Sequence, residues 1–288
     1  MEILIYGIVQ SISLMLMALG FSLVYGVSRL PNFAHGALYV FSGFAAWTVI
    51  NRFHLPFVLA LALAPVVAAI LGVLIYQLVL RRVRGMELSE VIATYAIGLA
   101  ILEGLRWAGF RGTSYSLPCF VNGLCFFWDM PLDYQRLVVV GFGIGVMALL
   151  WVFTRYTRIG LALRGIAQDE QAAMMLGIDS DLAASIAMAL GSALAGISAV
   201  TLLPLGNIVV EEGYKVLIYA IAVCVVGGLG SWAGTVVASF VLGFSQYLTV
   251  AYGKPHYQMV VMLLAVVVTL ILRPSGFFGK QKQLEERV

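Results

Sequence analysis

Charged side chains are scarce in this sequence, so two of them close together inside an apolar stretch invite a chemical reading. Glu103 and Arg106 lie three residues apart in the apolar run 90–110, which places them on one helical face where they can pair. An ionisable group at such a depth is a functional candidate. A neutralising pair whose arginine snorkels to the surface accounts for it equally well. Glu211 and Glu212 follow Pro204 and Gly206 in a connection, where acids are ordinarily solvated. The stretch SRLPNFAHG (28–36) holds a denser set of polar groups. Pro31 stops one helix, Asn32 can cap the next, and His35 would sit at its third position. Polar side chains beside a free helix N-terminus suit an anion or a carboxylate. A capped helix start with a hydrogen-bonded histidine needs no ligand at all.

Several catalytic signatures are absent. No GxxxxGK[ST] phosphate loop occurs; GFFGK (276–280) lacks the spacing and the hydroxyl. There is no HExxH, and His35, His54 and His256 fall in different segments, so no metal site is expected. An ATP-driven role would therefore place ATP and Mg on another chain, and no cofactor is expected on this one. Of the three cysteines, Cys224 reads as a small buried hydrophobe. Cys119 and Cys125 share one loop and could form a disulfide if that loop faces an oxidising compartment.

The elements that position these residues follow from composition. The 288 residues are 62% hydrophobic and 11% charged, with a mean hydropathy of +1.00. Soluble domains carry about 25% charged residues, so the chain reads as an all-α, polytopic transmembrane helical bundle forming a single domain over 1–288. The net charge of +3 calls for no nucleic acid, because loop arginines set orientation in lipid. Nine apolar segments emerge, near 3–27, 33–50, 56–80, 90–110, 134–153, 181–204, 214–230, 233–250 and 258–272. Some are marginal, giving eight or nine membrane segments. The second opens on His35 and contains Gly36 and Gly43, so it reads as broken or re-entrant. The first is too long for a signal-peptide core. Gly141/Gly145 and Gly230/Gly234 form GxxxG pairs, and Gly191 and Gly196 form a further small-residue face; packing within the bundle is expected of each. No internal repeat is visible.

Lysine and arginine fix the expected orientation. Placing 28–32, 81–89, 154–180 and 273–288 inside gathers Arg29, Arg81, Arg82, Arg84, Arg155, Arg158, Arg164 and Arg273 with the basic tail. The N-terminus is then outside and the C-terminus cytoplasmic. Trp107, Phe110, Trp128 and Tyr134 make an outer aromatic girdle, with Trp151, Tyr156 and Trp232 on the other side.

The polar band 154–180 is the distinctive element. Within it 169–176 reads as a short helix, with acids early, Gly177 as a left-handed stop, and Asp179 or Ser180 capping the next run. So short a helix has no core of its own and must lie on the membrane or dock to another protein.

VYGVSRLPNFAHG (24–36), RGIAQDEQAAMMLGID (164–179), VVGGLGSWAGTVVASFVLG (225–243) and RPSGFFG (273–279) together resemble, in order and over nearly the whole chain, permease subunits of branched-chain amino acid ATP-binding-cassette importers. That resemblance implies a paralogous permease subunit, two cytoplasmic ATPase subunits and a periplasmic substrate-binding protein as partners, in the bacterial inner membrane. It implies transport of branched-chain or related amino acids and no covalent chemistry on this chain. QAAMMLG (171–177) is similar to the family's coupling loop, with Gln171 where the pattern has Glu. Arg164, Asp169, Gln171, Ala172 and Gly177 are the expected coupling residues. Asn32 and His35 are the expected path or gate. Gln246 stands where an acid is expected and Glu103 where a neutral residue is, so both join the path set. The segment 203–215 also departs from the pattern, which leaves urea, amides and aromatic or short carboxylates open as substrates. An ion-coupled carrier or a passive solute channel is the rival class.

Overall fold

The computed structural model describes residues 2–279, except 111, 113–114, 122 and 128–129; the side chains of 124–130 are also not described. Trp128, the side chain of Cys125 and the tail from 280 onward therefore lie outside the described residues.

Helices occupy all nine apolar segments. They are α1 (Glu2–Ser28), α2 (His35–Asn51), α3 (Phe57–Ile75), α5 (Glu87–Trp107), α6 (Tyr134–Tyr156), α9 (Ser180–Leu202), α10 (Glu212–Gly227), α11 (Trp232–Tyr252) and α12 (Gln258–Leu272). A π-turn (Tyr76–Leu80) and the helical turn α4 (Arg81–Val83) continue α3, so one span runs from Phe57 to Val83. Among the described residues, seven helices are long and apolar enough to cross a membrane. α2 and α10 fall short with 17 and 16 residues, about 26 and 24 Å at 1.5 Å per residue against a hydrocarbon core of about 30 Å. The protein is a multi-pass membrane protein. Among the described residues, the β-structure is one antiparallel pair, β1 (Leu124–Phe127) with β2 (Met130–Asp133), in the connection that reads from sequence as a loop.

Burial sorts the helices into a centre and a rim. α2 buries every residue from His35 to Val40, and α9 and the middle of α1 are buried nearly all round. Rim helices bury only one stripe. In α5 it is Glu90, Thr94, Gly98, Leu102 and Leu105; in α3 it is Ala60, Ala64, Ala68, Gly72 and Ile75. That spacing is one helical face, and the remainder is free to meet lipid. α12 buries only Met262 and Thr269.

The packing shows a repeat that the sequence does not display. α1 packs most extensively on α11, and α9 on α3; α2 touches α3, α5 and α9 as α10 touches α11, α12 and α1. The block α1–α2–α3–α5 thus mirrors α9–α10–α11–α12. The blocks meet where backbone meets backbone. A Cβ on Gly36 would stand 1.9 Å from the Gly213 carbonyl oxygen, and one on Gly20 would stand 2.5 Å from that of Gly191. Only glycine permits crossings this close. Gly234 closes likewise on Gly227. The expectation fails for Gly141 and Gly145, around which there is open space within 4 Å; that GxxxG pair faces outward from the chain.

Candidate functional site

The polar band 154–180 is more ordered than a loop. α6 runs on to Tyr156, and Thr157 then caps α7 (Arg158–Gln168), its Oγ1 accepting from Gly160 N at 3.0 Å. α7 is amphipathic, burying Leu163 and Ile166. A sharp break follows, and α8 (Glu170–Met175) begins under Asp169, whose carboxylate accepts from Ala172 N at 3.0 Å. The helix ends in a Schellman motif. Ile178 N donates to Ala173 O at 3.1 Å, Gly177 N donates to Met174 O at 2.9 Å, and Gly177 takes φ +84°. Asp179 caps α9 through Asp181 N and Leu182 N. The expected short helix, its stop and the following cap all stand, within one residue at each end. α7 is the helix that sequence reading missed; its signal was the spacing of three between Gly160, Leu163 and Ile166, one helical face following the Thr157 cap.

α8 buries only Ala173, against Gly165. Its far side holds Met174, Met175 and Leu176, which are 46%, 86% and 83% exposed. Gln171 and Ala172 are exposed beside them, while Arg164 lies one helix back on α7 and is also exposed. Three consecutive apolar side chains on a doubly capped, six-residue helix make a rigid sticky tip. Methionine adapts its shape to a partner surface at low cost.

The base of α8 is tied down by a residue that sequence reading did not select. Arg84, just past α4, donates from Nη2 to Glu170 Oε1 at 2.5 Å and to Ser180 Oγ at 2.8 Å, and from Nη1 to Asp181 Oδ1. Arg81 adds an ion pair with Asp181 at 3.4 Å, and Tyr76 donates to the same carboxylate at 3.0 Å. One guanidinium therefore joins α8 to α9, and Asp181 ties the π-turn to the same cluster through Tyr76. Its partners are 86 to 97 residues away in sequence, so no local pattern could reveal them.

The expected path residues separate into three places. Asn32 and His35 are buried together near α1 and α9. Asn32 Oδ1 accepts from Ala34 N at 3.0 Å, and His35 Nε2 lies 2.9 Å from Met17 O. The histidine opens α2 rather than sitting at its third position, because 33–34 form a turn first. Gln246 is buried elsewhere, accepting from Gln10 Nε2 at 2.8 Å and contacting Met262 sulfur. Glu103 sits at the opposite end from α8, where Arg106 bridges it to Glu211, both at 2.6 Å. This is the neutralising pair, extended to a second acid. Cys119 is a free thiol directed at Pro204 O.

Two cavities open at the α8 end. One, of about 340 Å³, is lined by Asn32, Arg29, Arg84, Glu87, Glu90 and Glu170 among others. The other, of about 430 Å³, is walled by the ends of α1 and α6, by α7, and by the start of α11. The conspicuous sequence stretches converge beside it. Gly230 closes on Gly26, and the RPSGFFG segment folds back so that Phe277 N and Phe278 N donate to Val226 O and Gly227 O. The glycine turn and the last segment thus satisfy the carbonyls left open at the end of α10.

The sequence profile of the family described as "Branched-chain amino acid transport system / permease component" matches residues 3–270. The chain belongs to that permease family. Among this permease's relatives are the LivH high-affinity branched-chain amino acid permease protein of Escherichia coli K12, 26% identical, and BraD of Pseudomonas aeruginosa, 27% identical. The first alignment covers 95% of this permease and 94% of LivH, the second 96% and 95% of the respective chains. A probable LivH of Methanocaldococcus jannaschii is 29% identical over 95% of this permease and 90% of its own length. The fold resembles that of PsaBC from Streptococcus pneumoniae solved with a Fab, at a TM-score of 0.57 and 12% identity, covering all of this permease and 96% of that chain. Among the described residues, no cluster of His, Cys, Asp and Glu could hold a metal ion.

Proposed function

We propose that this permease is the translocation subunit of an ATP-binding-cassette importer in the bacterial inner membrane, moving branched-chain or related amino acids. The observation that carries the proposal is α8: a capped helix, clamped at its base by Arg84, offering an apolar tip with no cover of its own. One of two cytoplasmic ATPase subunits, which carry the ATP and Mg, receives that tip. Asp169 and Gly177 fix its shape, Gln171 and Ala172 flank it, and Arg164 completes the basic surface beside it. A paralogous permease subunit supplies the other half of the path, and a periplasmic binding protein delivers the solute. This chain performs no covalent chemistry. The N-terminus lies outside and the C-terminus in the cytoplasm, so that α8 faces the ATPases. Asn32 stands on the wall of the polar cavity at the cytoplasmic end, whose lining includes Arg29, Arg84, Glu87 and Glu90, charges of both signs suited to a zwitterion. His35 and Gln246 hold the helices behind that path, and the Glu103–Arg106–Glu211 bridge ties its outer rim.

The test is uptake of labelled leucine by the complete complex in vesicles. Accumulation should require ATP and survive a protonophore. Uptake that persists without ATP and collapses with the uncoupler would replace the importer with an ion-coupled carrier. A cysteine at Gln168 should resist a membrane-impermeant reagent added outside; rapid labelling would invert the orientation.

A further inference from the structure

The larger cavity at the α8 end has chemistry beyond what the import cycle uses, in Arg155, Trp151 and an apolar lining. Arg155 and Arg164 both line its 430 Å³, and no acidic residue does. Arg155 carries its guanidinium 5.4 Å from the centre of the Trp151 ring, on the last turns of α6. Trp151 is itself half exposed, and the adjoining faces of α6 present Leu149 and Val152 outward. The cavity floor is apolar, formed by Leu23 and Leu163 among others. A site with two cations at the mouth, an indole at the rim and an apolar floor, open beside a lipid-facing helix, matches an amphipathic anion. Tryptophan sits at headgroup level in membranes, and basic pockets between spans on the cytoplasmic side bind phosphate-bearing headgroups.

We infer that this cavity is a binding site for an anionic phospholipid, whose phosphate lies between Arg155 and Arg164 and whose acyl chain runs along α6. Gly26 and Gly230 bring α1 and α11 together at the back of the cavity, so an occupied site would also brace that junction. The inference is separable from ATPase docking through Arg155, Trp151 and the end of α6; Arg164 is shared with the proposed docking surface.

The experiment uses the full chain in detergent, titrated with phosphatidylglycerol or phosphatidylcholine and read by native mass spectrometry. Phosphatidylglycerol should bind selectively. A basic residue near an anionic lipid is worth about 1 kcal/mol, so Arg155→Gln with Arg164→Gln should weaken binding roughly 30-fold. Arg158→Gln, which changes a cation outside the lining, should leave it within about twofold. Arg155→Lys with Arg164→Lys retains the charge and should keep most of the affinity, which separates a charge effect from a folding defect. Equal binding of the two lipids, or full affinity in the double glutamine variant, would overturn the inference. Displacement of the lipid by millimolar inorganic phosphate would overturn it too, by reducing the site to a free-anion site.

Discussion

Removing the apolar tip of α8 is the most direct test of how this permease is driven. Met175 and Leu176 are 86% and 83% exposed in the isolated chain. Fully burying such a side chain contributes about 2 kcal/mol. Scaled by the exposed share, docking would gain about 1.7 kcal/mol from each and about 3.4 kcal/mol from the pair, roughly 300-fold in affinity. Met175→Ser with Leu176→Ser should therefore release the ATPases during size-exclusion chromatography and abolish leucine accumulation. The permease itself should stay as stable as before, within about 0.5 kcal/mol, since neither side chain contributes to its interior. Asp169 and Gly177 remain in place, so the helix itself is kept. Retention of the ATPases together with normal coupled uptake would refute the docking role of this tip.

Gly177→Val should uncouple hydrolysis from uptake without impairing insertion. Its φ of +84° costs a non-glycine residue about 1–2 kcal/mol, while the space around it is open, so Gly177→Asn should be milder when ATPase stimulation is measured. Gly36→Ala should lower the thermal midpoint sharply, because its Cβ would meet the Gly213 carbonyl at 1.9 Å; overpacking costs about 1–3 kcal/mol and more against backbone. Gly104→Ala, with open space around a helical glycine, should instead gain up to about 1 kcal/mol in the same assay. Arg84→Gln should raise ATPase activity uncoupled from uptake, and a Glu170→Gln variant should show the same defect; wild-type coupling in both would remove the clamp from the mechanism.

What could be read beforehand divides along physical lines. The nine helices were legible because apolar runs bounded by polar residues carry their own signal. The ends of α8 were legible because Asp169, Gly177 and Asp179 act on backbone within three residues of themselves. α2, with His35, Gly36 and Gly43 at its start and middle, reads from sequence as broken or re-entrant and is a continuous helix too short to span, whereas the shortness of α10 leaves no such mark. The mirrored packing of the two blocks was invisible, because lipid and protein interior select the same apolar residues and erase sequence likeness. Gly141 and Gly145 show the reverse failure: the spacing was right, but spacing does not say whether the neighbour belongs to the same chain.

The two ends of the molecule are built on different terms, and this bears on how motion crosses it. Midway, α1 meets α9 and α2 meets α10 at glycines, where backbone approaches backbone and neighbouring side chains such as Val24 and Leu217 pack into the crossing. Close packing of this kind resists displacement more than exposed ion pairs do. At the α8 end the connection is a polar cluster in which Arg84 bonds α8 and α9, and Tyr76 of the π-turn, a local irregularity often found at functional sites, donates to the same Asp181. Its partly exposed ion pairs are individually weak and can exchange partners. A displacement of α8 would therefore reach α3 and α9 together through Arg84 and Asp181, before it strains the glycine crossings. A close-packed centre joined to its lever by one exchangeable cluster places the compliant joint at the base of α8.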